Sequence, residues 1–311
     1  MKKKVVVALG GNALGDTPDK QKEAVKIASS SIVDLVDEGY EVMVVHGNGP
    51  QVGMIHMAFD MAHKQTDKIP TMPLVESTAM SQGYIGYHLQ NAIVNEMKVR
   101  GFNKDVATIL TQVVVDQNDP AFLNPNKPVG PFYTKEEADV LSKVENAIYL
   151  EDAGRGYRKA VASPKPQTIV EKNTIRKLLN SGTVVISSGG GGMPVVDMGG
   201  MFIGVDAVID KDNSAAKIAE EINADSLIIL TAVDNVAIRF GKENQEWLHK
   251  LSTEDALKYI EEGEFAAGSM LPKVEASIRF AKSKKGRIAI ITSLESAKDA
   301  IQNGKGTIIT E

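Results

Sequence analysis

The sequence predicts an α/β fold built on a mainly parallel sheet with helices on both faces. Three observations lead there. Strand-length apolar runs alternate with segments of helical periodicity along most of the chain. The runs at 4–9 (KVVVAL) and 41–45 (EVMVV) are almost continuously apolar, as expected of strands covered on two faces. Both then pass directly into glycine-rich turns that open helices. In a doubly wound sheet such turns lie at the carboxyl ends of the strands, where ligands bind.

Taken in order, the first strand runs into Gly10-Gly11-Asn12. The start, MKKKVVVALGG, superficially resembles a signal peptide, but its apolar run is too short and ends at the glycine pair. A helix is expected over 18–38, with Val25, Ala28, Ile32 and Leu35 as its inner stripe and Gly39 as its stop. After the strand 41–45 comes His46-Gly47-Asn48-Gly49-Pro50-Gln51-Val52-Gly53, leading into another helix. A long helix over 77–99 and a third strand over 107–115 follow. The texture then changes over 116–166, which holds Pro120, Pro125, Pro128, Pro131, Pro164 and Pro166 without sustained periodicity. A structureless insertion of this length is unusual in a compact domain, so the segment reads as a small protruding subdomain, a hairpin and a short helix.

The α/β rhythm then resumes. A helix at 170–180 precedes a strand at 183–187, Ser188 and Gly189-Gly190-Gly191-Gly192. A strand at 226–231 leads into Ala232-Val233-Asp234-Asn235-Val236. A helix at 253–262 opens with a capping box from Ser252 to Asp255. Another begins near Pro272, a residue suited to the first helical position. The strand 287–292 precedes a last helix, capped by Thr292 and Glu295, and 307–309 reads as an edge strand. No internal repeat is visible.

The stretch 201–221 (MFIGVDAVIDKDNSAAKIAEE) organises the chain. It switches from strand-like spacing to a helix whose Ala215, Ile218, Ala219 and Ile222 fall on one face. Asp210 or Asn213 suits the cap. Lys211 then lies at the helix start, the wrong end for a cation because that end is already partly positive. It is either a solvated lysine beside two carboxylates or a contact for an arriving anion, since helix N-termini bind phosphate through free N–H groups. Lys273, just after Pro272, repeats the anomaly in front of a stripe of Val274, Ile278 and Ala281, and Gly268-Ser269-Met270-Leu271 is its flexible entry. Two such lysines, with Asp212 beside the first to hold them, look like a clamp for a transferring phosphoryl group.

Composition narrows the classes. The 311 residues can bury a large core, in one domain or two lobes. They are 43% hydrophobic and 24% charged, with net charge −5, so no bulk basic field invites nucleic acid. There are no cysteines, which removes disulfides and thiolate chemistry and accords with a reducing cytosol. No apolar run reaches membrane-spanning length. A soluble, cytoplasmic protein without membrane or nucleic-acid partners is expected. The five histidines offer no metal spacing, and His56 and His63 lack an HExxH pattern, so no protein metal site is expected. His46 at a strand end suits a packed, hydrogen-bonded role. No GxSxG elbow supports serine hydrolysis. Met54, Met57 and Met61 suit core or interface.

Three glycine-rich turns follow strands: GGNALG, HGNGPQVG and SSGGGGMP. Glycine lets backbone N–H groups approach a ligand closely, and arrays of them hold oxyanions. Each turn alone also fits a tight connection; three at strand ends favour a shared anion site. None is a Walker A loop, since Asp16 stands where lysine would follow Gly15. The turn at Gly47 is a relaxed dinucleotide fingerprint, but no strand ending in an acidic residue follows about 20 residues on.

In this order and spacing, VVVALGGNAL, VVHGNGPQVG, ISSGGGGMPVV, VIDKDNSAAKIAE, LTAVDNV and AGSMLPKVEA closely resemble the carbamate kinases of the amino acid kinase superfamily. The resemblance spans nearly the whole chain. It implies a three-layer αβα sandwich with a central, mainly parallel sheet and the small protruding subdomain. Residues 1–182 would form a carbamate lobe including the subdomain at about 116–166, and 183–311 a nucleotide lobe taking ATP or ADP with Mg²⁺. The resemblance implies that Lys211 and Lys273 neutralise the transferring phosphoryl group, with Asp212 organising them. Gly10, Gly11 and Asn12, with Gly47, Asn48 and Gly49, would surround carbamate and the phosphoryl in flight, and Gly189 and Gly190 would join them. Thr231, Asp234, Val236 and Met270 would help bind nucleotide. Related acylphosphate-forming kinases carry a lysine just before the first glycine pair, where this chain has Ala8 and Leu9. In carbamate kinases a lysine from the protruding subdomain substitutes, and Lys127 in NPNKPVGPFY matches it.

The implied reaction is reversible: ATP and carbamate give ADP and carbamoyl phosphate, commonly run toward ATP in arginine breakdown. A homodimer is also implied. The nearest alternative is another acylphosphate-forming kinase, such as acetylglutamate kinase; Ala8-Leu9 and the 116–166 insertion weigh against it. A non-catalytic nucleotide- or oxyanion-binding protein on the same scaffold is opposed by the intact lysine–aspartate set. An NADP-dependent oxidoreductase comes last.

Overall fold

The computed structural model describes residues 2–10, 14–15, 17–152 and 154–311. The apolar run at the start forms the strand Lys4–Leu9, in the middle of an eight-stranded sheet. On one side it pairs in parallel with Glu41–His46, followed by Val184–Ile186 and Val106–Thr108. On the other side it pairs in parallel with Ser226–Thr231, and that strand with Ile288–Ser293. Thr307–Thr310 then runs antiparallel, and Lys250–Ser252 forms the edge.

Side-chain alternation along the strands divides the core. Val5, Val7 and Leu9 pack with Val25, Ile32 and Leu35 of the helix Pro18–Asp37 and with Ile85, Leu89 and Ile93 of Leu74–Val99. Val6 and Ala8 face the other way, toward Ala215, Ile218 and Ala219 of Lys211–Glu221 and Val274 and Ile278 of Met270–Lys282. Both faces of a mainly parallel sheet are thus covered, which makes the three-layer αβα sandwich. The strands had to be apolar throughout because neither face meets water.

Smaller sheets flank this body. Phe202–Gly204, Met193–Asp197, Gln112–Val115 and Pro166–Ile169 form a four-stranded sheet. Between Val115 and Pro166 the chain builds a three-stranded sheet from Lys127–Tyr133, Ile148–Glu151 and Tyr157–Val161, with the helix Lys135–Glu145 beside it. That helix opens with a complete capping box between Thr134 and Glu137. No helix among the described residues is long and apolar enough to cross a membrane.

Several elements differ from the sequence expectation. The strand expected over 107–115 is two strands in two sheets, Val106–Thr108 and Gln112–Val115. The break is held by Gln82, whose carboxamide accepts from Thr111 N and donates to Thr111 O, pulling the backbone off the large sheet. The long helix starts at Leu74, not 77. Pro272 is the third residue of its helix, which starts at Met270. The segment at 307–309 is interior to the sheet, not its edge, because Lys250–Ser252 pairs along its outer side. Thr292 caps nothing: it lies buried in the strand Ile288–Ser293, and the last helix, Ala297–Asn303, has Ser296 at its cap position. Met54 and Met61 are exposed and so are not core residues.

Candidate active site

The carboxyl ends of Lys4–Leu9, Glu41–His46 and Ser226–Thr231 open onto one cavity of about 540 Å³. This is the point where the sheet order reverses around its first strand, the expected ligand crevice of such a sheet. Gly10, Gly47, Asn48, Gly49 and Gly190 bring all three glycine-rich turns to its wall. Lys127 reaches it from the three-stranded sheet, and Lys211, Asp212, Thr231 and Lys273 from the second half of the chain.

Asp210 settles the local structure at the organising stretch. It takes extended backbone geometry at the N-cap of Lys211–Glu221, and its Oδ1 accepts from Asp212 N at 2.9 Å and Asn213 N at 3.3 Å. That cap puts Lys211 and Asp212 in the first turn, facing the cavity. Asp212 Oδ1 accepts from Lys211 Nζ, and its Oδ2 from Lys273 Nζ at 3.1 Å. The Lys273 ammonium also donates to Ser269 O at 3.1 Å. Two lysines at two helix starts, each opposed by its helix dipole, are therefore tied to one carboxylate.

The cluster is shielded: the side chains of Asp212, Lys211 and Lys273 are 4%, 12% and 15% exposed. Burial pushes the Lys211 ammonium below the usual lysine range; Asp212 pulls it back up, and Lys273 pushes it down again. Lys127 Nζ donates to Asp210 Oδ2 at 2.6 Å. Burial alone would raise the Asp210 carboxyl, but Lys127, and after it Lys211, holds it at about 2.

The glycine turns are backed by buried polar groups. His46 is buried, with its Nδ1 3.0 Å from Gly47 O. Burial lowers its pKa to about 4, so its ring is neutral, in keeping with the structural role expected for it. Gly190 has φ +65°, and a Cβ there would lie 2.0 Å from Asn48 Nδ2, so only glycine admits the asparagine amide. Gln82, Thr111 and Ser187 continue this layer, with Thr111 Oγ1 and Ser187 Oγ 2.6 Å apart.

Of the residues singled out from the sequence, Lys127, Lys211, Asp212, Lys273, Gly10, Gly47, Asn48, Gly49, Gly190 and Thr231 meet at this cavity. Gly189 lies one residue behind its wall, against the His46 ring. Gly11 and Asn12 lie outside the described residues. Asp234, Val236 and Met270 are not on the cavity wall: Asp234 is exposed and accepts from the Ser293 and Ser296 hydroxyls, Val236 is fully buried, and Met270 is half-buried against the core. Sequence reasoning missed Asp210 as the partner of Lys127 and Ser81 as the partner of Asn48. Ser77, Thr78, Ser81 and Gln82, polar at helical spacing on the buried face of Leu74–Val99, were the signal for the latter.

This arrangement can bind polyphosphate and neutralise charge developing on a phosphoryl group, and comparison with known proteins agrees. A model of the Amino acid kinase family matches residues 3–292. The chain is 58% identical, over the full length of both, to the carbamate kinase-like protein YqeA of Escherichia coli (strain K12). It is 52% identical to carbamate kinase of Clostridium perfringens (strain 13 / Type A), over 99% of this chain and 100% of that one. The solved carbamate kinase from Giardia lamblia bound to AMP-PNP superposes with a TM-score of 0.90 at 42% identity, covering 99% of this chain and 98% of that one. The chain belongs to the amino acid kinase family and, within it, to the carbamate kinases.

Proposed function

We propose that the chain transfers a phosphoryl group reversibly between ATP and carbamate, running toward ATP in arginine catabolism. The observation that carries this is the convergence of Lys127, Lys211 and Lys273 on one cavity to which all three glycine-rich turns also contribute, through Gly10, Gly47, Gly49 and Gly190. Carbamate is already an anion, so its attack needs no general base; alignment and positive charge are enough. Lys211 and Lys273, held by Asp212, stabilise the phosphoryl group in flight, and Lys127 adds a third charge from the protruding subdomain. Gly10, Gly11, Asn12, Gly47, Asn48 and Gly49, in a lobe of residues 1–182, hold carbamate, and Gly189 and Gly190 join them from the start of the second lobe. Thr231, Asp234, Val236 and Met270 serve the nucleotide in a lobe of residues 183–311.

Mg²⁺ accompanies the nucleotide in this account and neutralises phosphate charge. The wall offers it no protein cage. Among the described residues no three His, Asp or Glu side chains gather as a metal site, and Asp210 and Asp212 are already engaged by lysines. The ion fits as one carried on the phosphates and its own waters, its usual mode in kinases. We place the enzyme in the cytoplasm as a homodimer.

The test is ATP formation from ADP, Mg²⁺ and carbamoyl phosphate, with acetyl phosphate and acetylglutamyl phosphate run alongside. Fast ATP production selective for carbamoyl phosphate is expected. No ATP from carbamoyl phosphate, in protein that binds ADP, overturns the assignment.

A further inference from the structure

Of the described cavity-lining residues before residue 182, only Asn48 and Lys127 carry polar side chains, and Lys127 is paired with Asp210. Asn48 occupies the N-cap position of the helix Gly49–Gln65. An asparagine there ordinarily accepts from a backbone N–H two or three residues on. This one makes no such bond. Its Nδ2 donates instead to Ser81 Oγ at 2.9 Å, across to the helix Leu74–Val99.

The orientation follows from proton counting. Ser81 Oγ donates to Thr78 O at 2.7 Å. A hydroxyl has one proton, so toward Asn48 it can only accept, and the amide nitrogen must face it. The carboxamide is confined on its other side by Gly190, whose missing Cβ would lie 2.0 Å from Nδ2 and 2.2 Å from Cγ. Asn48 Oδ1 is left over, and no described residue donates to it. Asn48 is only 4% exposed, and it borders the cavity.

We propose that Asn48 Oδ1 accepts a hydrogen bond from the amino group of carbamate, and that Ser81 is a positioning residue that holds it in that role. This rests on the assignment of carbamate to this wall. An amino N–H is what distinguishes carbamate from acetate, which carries a methyl group in its place. An acceptor fixed in a nearly dry wall discriminates between the two, because a methyl group would leave it unpaired. The unused cap follows from the same arrangement: an oxygen turned to the helix N-terminus could not face the substrate.

The experiment is ATP formation from ADP with carbamoyl phosphate and, separately, acetyl phosphate, by the unmodified protein and by Ser81→Ala and Asn48→Ala. In both variants kcat/KM for carbamoyl phosphate is expected to fall about tenfold or more, and that for acetyl phosphate less than about threefold. The preference for the amino-bearing donor therefore shrinks. A purely structural role would lower both donors alike, and an equal loss or an unchanged preference overturns the proposal. Should Ser81→Ala fail to fold, Asn48→Ala reads the same ratio. An unmodified protein inactive on carbamoyl phosphate overturns the assigned reaction and this proposal with it; an active one with an unchanged preference in the variants overturns this proposal alone.

Discussion

Replacing Asp212 with asparagine keeps the side chain's shape and removes one negative charge from the centre of the site. Asp212 is 3% exposed, and its two oxygens engage Lys211 and Lys273, the latter at 3.1 Å. At that separation, with an effective dielectric near ~20, the gross attraction of one pair is about 5 kcal/mol. Breaking a buried pair by removing one partner costs about 3–5 kcal/mol, because the other charge is left uncompensated. Here two ammonium groups are left. Lys211 has a way to relieve this: burial and Lys273 already push its proton off, and Asp212 is the main opposing influence. In Asp212→Asn it is therefore expected to lose its proton at lower pH, and with it one positive charge at the transferring phosphoryl. Loss of one such stabilising group costs about 10²–10³ in turnover. The expected result is a fall of that size in kcat for ATP formation, with the Kd for ADP changed less than about tenfold. The alkaline limb of the kcat–pH profile should move to lower pH. Initial rates across the neutral and alkaline range, with calorimetric ADP titration, measure both. A kcat within about threefold of the unmodified protein, or an unmoved alkaline limb, would refute the reasoning.

Lys127→Met should lower kcat about a hundredfold. It should also lower the melting temperature, because Asp210, only 15% exposed, loses the ammonium that does most to hold its carboxyl down; full activity, or an unmoved melting temperature by circular dichroism, would contradict this reading. His46 makes a pH prediction. Burial holds its pKa at about 4 instead of 6.5, so between those values the unfolded chain binds the extra proton and the folded one does not. Stability should then rise with pH through this window and fall as pH drops through it, by up to about 3 kcal/mol. Denaturant unfolding at a series of pH values checks this, and the slope should be shallower in His46→Gln, with His88, whose pKa burial also lowers, supplying part of what remains; an identical slope in that variant would show that other groups cause it.

The strands at 4–9, 41–46 and 226–231 were legible because burial on both faces leaves an apolar run that needs no knowledge of the partner strand. Lys211 and Lys273 were legible because a cation at a helix start opposes the helix dipole wherever the helix sits. The resemblance, not the local spacing, pointed to Lys127. What stayed hidden depends on which segment lies beside which. The interior place of Thr307–Thr310 required knowing that Lys250–Ser252 pairs outside it, and the split of 107–115 required Gln82 on another element. The pairs that build the site are distant in the chain: Lys127 to Asp210 spans 83 residues, Lys273 to Asp212 61, and Asn48 to Ser81 33. Local periodicity records which way a side chain must face and whether it must be dry. It carries no record of the side chain it will meet, because sheet order and crossovers choose that partner after the elements exist. The sequence by itself therefore determined the layers, the two anomalous lysines and the Asp212 that holds them, and only the tertiary structure decided that Asp210 receives Lys127 and that Asn48, at the cavity wall, leaves its cap unused and bonds Ser81.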